Sequence, residues 1–135
     1  VVVPPITTAS EWCDRYGVTV ADGVATLYKC VDEGYRSNYH GGISYAPGTI
    51  PEAADWDGGV LECGGGLHFS PHPAMTLEFW GKEVEPRFVA CPVRLDDIAV
   101  RADAGMPQKI KARRCCAPVY EVDIDGTPLV ARPHD

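Results

Sequence analysis

No stretch of this 135-residue chain approaches the length of a membrane span. The opening Val1-Val2-Val3-Pro4-Pro5 lacks both the basic flank and the long apolar core of a signal peptide. A cytoplasmic protein is expected. Positive charge is not in excess: the formal net charge is −7, which excludes broad nucleic-acid binding by phosphate neutralisation. Six cysteines are too few for a disulfide-stapled secreted scaffold. Cys13, Cys30 and Cys91 lie in apolar stretches and Cys115 adjoins Cys116, so they read as reduced, buried, small hydrophobes. The chain has no internal repeat, no low-complexity segment and no residue spacing of a calcium loop around Asp55 and Asp57. No glycine pattern of a nucleophile elbow surrounds Ser70.

What remains is an ordinary globular composition, 45% hydrophobic and 23% charged, in a chain long enough to bury one core. We expect a single domain over 1–135, with an N-terminal arm and short helix over 1–17 and an α+β core over 18–132. Thr8 or Ser10 can cap the first helix and Gly17 can end it. Asp22-Gly23 between β-rich runs predicts a hairpin. The strand 25–31 places Ala25, Leu27, Lys29 and Val31 on one face. Ala46-Pro47-Gly48-Thr49 reads as a turn, and Arg87–Leu95 as a strand that Pro92 assigns to an edge or a bulge. Lys109, Lys111 and Arg113 alternate with apolar residues; these could meet phosphates, or guard an edge strand by charge, and the second is the better fit to an acidic chain. The predicted fold class is α+β, mostly antiparallel, with two short helices.

The segment 62–80, ECGGGLHFSPHPAMTLEFW, concentrates chemistry-bearing residues. Glycines 64–66 let something approach the backbone closely, and a short strand runs into a Pro-punctuated helix. Leu67, Phe69, Leu77 and Trp80 are expected in the core. A metal reading uses Cys63, His68 and His72 with Cys91 or Cys115. It lacks the tight cysteine pair of structural zinc sites, and no metal is assigned.

Two resemblances follow from these residues. From Tyr28 to about Cys115 the chain is similar to a bacterial and phage domain of no assigned activity, some copies of which precede pentapeptide repeats. Tyr28-Lys29, Tyr45-x-x-Gly48, Cys63-x-x-Gly66-Leu67-His68, Arg87-Phe88 and Lys109-Ile110 carry that match. The segment Gly64-x-Gly66-Leu67-His68-Phe69 with Thr76 and Phe79 also resembles the nicotinamide-pocket segment of poly(ADP-ribose) polymerases and phage ADP-ribosyltransferases. His68 stands at the family's first tyrosine, Thr76 at its serine and Phe79 at its second tyrosine. That resemblance implies an ADP-ribosyltransferase-like core, NAD as cofactor and a host or phage protein as acceptor. It implies that Gly64, Gly66, His68, Thr76 and Phe79 hold nicotinamide between ring faces, a hydroxyl and backbone. Lys29 stands where the family has a ribose-holding histidine or arginine. Glu121 stands for the strand glutamate that stabilises an oxocarbenium-like transition state. The alternatives are a non-enzymatic interaction module on a related scaffold and a zinc-stabilised accessory domain. Transfer from one NAD requires the Glu121 strand beside the Lys29 strand, both side chains facing the His68 cleft.

Overall fold

The Asp22-Gly23 pair sets the first registration of the chain. Both residues are left-handed (φ 53° and 77°), the conformation of a two-residue hairpin turn whose twist matches its strands. That turn joins β1 (Val20–Ala21) to β2 (Val24–Val31). The computed structural model describes residues 8–37, 43–54, 56, 66–80, 85–100 and 110–129. Among these, β3 spans Leu67–Phe69, β4 Arg87–Arg94, β5 Ile98–Ala99, β6 Ile110–Ala112 and β7 Tyr120–Val122. All strand pairs are antiparallel, in a four-stranded sheet β1-β2-β4-β7 and a three-stranded sheet β3-β6-β5. The protein is therefore α+β with few helices. No described helix is long and apolar enough to cross a membrane.

One bridge stitches the two sheets together. Tyr28 and Ser70 exchange both backbone hydrogen bonds, at 3.0 and 2.9 Å, so β3 continues alongside the free edge of β2 beyond β1. Residues directly opposite in an antiparallel pair point to the same side. Following that rule across the seam defines two faces. The inner face carries Ala25, Leu27, Lys29 and Val31 of β2, Val89, Cys91 and Val93 of β4, Leu67 and Phe69 of β3, and Ile110 and Ala112 of β6. Most of these are fully buried and join Trp12, Tyr45, Cys115 and Val119 in the core. The outer face carries Thr26, Tyr28 and Cys30, then His68, Ser70 and Lys111.

Helix α1 (Ala9–Tyr16) behaves as its sequence predicts: Thr8 accepts from the Glu11 amide, and left-handed Gly17 closes the end. It buries Trp12 and Cys13. The turn at 46–49 is also as expected, with Gly48 at φ 91° and Thr49 donating to Ala46.

Three expectations are corrected. The helix after β3 is a 3-10 helix, Pro73–Phe79, with three residues per turn. Its period buries Pro73 and Thr76 and turns Ala74 and Leu77 outward, so Leu77 is exposed, not core. Pro92 sits on neither an edge nor a bulge, because β4 lies between β2 and β7 in unbroken register. Its partner Thr26 turns its N–H to Thr19, away from β4, so Pro92's missing N–H falls on the β7 side, beyond the paired residues 88–90. The strand bearing Lys111 is the middle strand of its sheet, with Lys111 itself buried, so charge there guards no edge.

Candidate functional site

Lys29 rises from the middle of β2 into the inner face. Its ammonium donates to the His68 carbonyl at 2.7 Å and lies 5.2 Å from the Tyr45 ring centre and 5.8 Å from that of Phe69. Two ring faces and a carbonyl replace part of the water an ammonium loses on burial. The Lys29 charge also opposes the upward push that burial exerts on the Cys30 and Cys91 thiols. It ties β3 to β2 from inside.

Glu121 lies on the inner face too, opposite Val89, which is itself opposite Lys29. The two residues share one row across the sheet with β4 between them, so the expected adjacency of their strands is corrected. Glu121 accepts from the Tyr35 hydroxyl at 2.8 Å and from Arg87 at 3.2 Å, and the Arg87 guanidinium lies 5.4 Å from the Tyr35 ring centre. Tyr35 reaches this position from a left-handed backbone (φ 62°), uncommon for a non-glycine residue. Its phenol is pushed up, first by the hydrogen bond to Glu121, then by burial and the Glu121 charge.

His68 and Thr76 belong to the opposite side. His68, half-buried, points outward from β3 and stands directly across from Lys111 of β6. Thr76 is buried against the outer face of β2: its hydroxyl donates to the Pro73 carbonyl at 2.6 Å, and its side chain bonds the Cys30 thiol. Burial raises that thiol to about 11, with the Thr76 bond and Lys29 working against the rise. Gly66, at φ 120°, is closely approached, as glycine allows. The approaching group is the Trp56 indole, 3.1 Å from where a Cβ would stand. Gly64 and the Phe79 side chain lie outside the described residues.

The candidates thus divide. His68, Thr76 and Lys111 share the outer face; Lys29 and Glu121 share the inner one. Glu121 is the sole acidic residue in the described strands. Across the order β3-β2-β4-β7, three strand spacings of about 4.8 Å put roughly 14 Å between the His68 and Glu121 backbones.

No family model, curated protein or solved structure matches this chain.

Among the described residues, no three His, Cys, Asp or Glu side chains converge as metal ligands. Cys63 lies outside them. His72 is turned to α1, its Nε2 2.7 Å from the Tyr16 carbonyl. Sequence reasoning missed Tyr35, Arg87, Trp56 and the burial of Lys111. The Lys-Ile-Lys-Ala alternation contained the last, since period-two patterning marks a strand but not which side is covered.

Proposed function

We propose that this chain binds NAD or a related nicotinamide nucleotide on the outer face around His68, using an ADP-ribosyltransferase-like scaffold without the transfer chemistry. The observation that carries this is the split between faces. Transfer needs a carboxylate near the anomeric carbon as positive charge develops there. Glu121 faces the other side of the sheet and is already held by Tyr35 and Arg87. The ring-facing part of the resemblance keeps a consistent geometry: strand, turn and helix bring His68 and Thr76 to one side of β2 and β3. His68 offers a flat ring on which nicotinamide can stack. Thr76, whose side chain bonds Cys30 on the outer face of β2, holds the 3-10 helix against that face.

Thermal unfolding with and without NAD, with nicotinamide measured in the same samples, tests the reading. Ligand at ten times Kd stabilises by about 1.4 kcal/mol, a midpoint rise of about 4 °C for a chain of this size. We expect that rise in the wild type, its loss in His68→Ala, and no nicotinamide released. Nicotinamide release abolished by Glu121→Gln would replace this reading with a transferase.

A further inference from the structure

Two thiols meet in the core. Cys91 lies on the inner face of β4, opposite Leu27, and Cys115 follows shortly after the end of β6. Both are free thiols, 0% and 2% exposed, in the same buried cluster. The residue after each cysteine joins the two main chains: the Cys116 N–H donates to the Pro92 carbonyl at 2.9 Å. On the other side of the segment, the Cys115 N–H donates to the Pro51 carbonyl at 2.9 Å, so its backbone is held in place. The two thiols hydrogen-bond each other. A disulfide needs adjacent main chains and converging side chains, and this pair has both. Among the described residues no third His, Cys, Asp or Glu joins them as a metal ligand set, which leaves sulfur–sulfur chemistry. Cys30 points to the outer face, where Thr76 engages its thiol.

We propose that Cys91 and Cys115 are a modification site, closed by a peroxide into a disulfide that ties β4 of the larger sheet to the chain leaving β6 of the smaller one. One thiol of the pair attacks the peroxide oxygen, giving a sulfenic acid and one water. The second thiol then attacks that sulfur and expels the sulfenic oxygen as another water. Both thiol protons leave in water, and the two sulfurs are oxidised as the peroxide is reduced. Burial, then the bond and charge of Cys115, push the Cys91 thiol up, while the Lys29 ammonium on the same face opposes that rise and favours the reactive thiolate. The closed loop, from 91 to 115, contains β5 and β6. The bond therefore adds a covalent tie between two sheets that the Tyr28–Ser70 bridge already joins, and a reductant releases it.

Peroxide treatment of the folded full chain, followed by thiol blocking and peptide mapping, tests the proposal. The map should show Cys91 joined to Cys115 and a chain lighter by two hydrogens. The thermal midpoint should rise by about 5 °C or more, as expected for a native loop of this length closed without distortion. Dithiothreitol should restore the original mass and midpoint. Cys115→Ala should show neither the bond nor the rise, and Cys116→Ser should show both. Free Cys91 and Cys115 thiols beside an oxygenated Cys116 would overturn the proposal, and so would a disulfide from either residue to a different cysteine. A Cys91–Cys115 bond that leaves the midpoint unchanged or lowers it would overturn the tie between the sheets. The wild-type map and midpoint decide the matter without requiring any variant to fold.

Discussion

Lys29 shows how a charged side chain in an apolar row can be structural. Its ammonium has a backbone carbonyl and two rings as partners, so removal should be felt as lost packing and a lost hydrogen bond. Lys29→Ala should lower stability by about 2–3 kcal/mol, and Lys29→Met by about 1 kcal/mol because it keeps the volume, as measured by urea unfolding. Tyr35 and Glu121 form a second engaged pair. Tyr35→Phe and Glu121→Gln should each cost about 1 kcal/mol and be non-additive in the double variant. On this account Glu121→Gln leaves nucleotide affinity unchanged. Titration gives a further test at this scale. Burial raises the thiols of Cys13, Cys30 and Cys91, and Tyr35 is raised by Glu121. Each group holds its proton to higher pH in the folded chain than in the unfolded one. Their stabilisation is complete below the ordinary thiol value of 9.0 and is lost as pH climbs through the raised values, about 11 for Cys30. Urea midpoints should fall between pH 8 and pH 10.5, and less steeply in Cys30→Ala.

Elements were legible where a local rule dictates them. The Asp22-Gly23 turn, the Thr8 cap, the Gly17 close and the Pro47-Gly48 turn follow from side-chain chemistry within a few residues. Pro92 and Lys111 were misjudged because each depends on non-local pairing. Whether Pro92's missing N–H matters is decided by which neighbour ends before it, and whether the Lys111 strand is an edge is decided by β3 and β5 pairing on either side of it. Leu77 was expected in the core, whereas the segment winds with three residues per turn and leaves Leu77 exposed. The seam at Ser70 is the element on which both sheets depend. Ser70→Pro removes the N–H donated to Tyr28, and the same exchange of bonds holds β3 beside β2. Loss of about 3 kcal/mol or more is expected, read as a lowered urea midpoint. Gly66→Ala tests a different junction. At φ 120° a side chain is strained, and the new methyl group meets Trp56 at 3.1 Å. A cost of about 2–3 kcal/mol with altered tryptophan fluorescence should result.

For the whole molecule, the sequence contains the residues of the candidate site but not the side of the sheet each one faces. His68, Thr76, Lys29 and Glu121 are all visible as strand or helix residues. Their division into two faces arises from the Tyr28–Ser70 bridge and from β4 lying between β2 and β7, which connect positions dozens of residues apart. That division separates the His68 face from Glu121, the one carboxylate in the described strands, and it is the reason the proposed binding is expected without turnover. An NMR titration of isotopically labelled protein with NAD tests it most directly. Amide shifts should cluster at His68, Ser70, Lys111 and Ala112, with Tyr35, Arg87 and Glu121 unmoved and NAD intact at the end. Perturbations centred on Tyr35, Arg87 and Glu121, accompanied by free nicotinamide, would contradict the account.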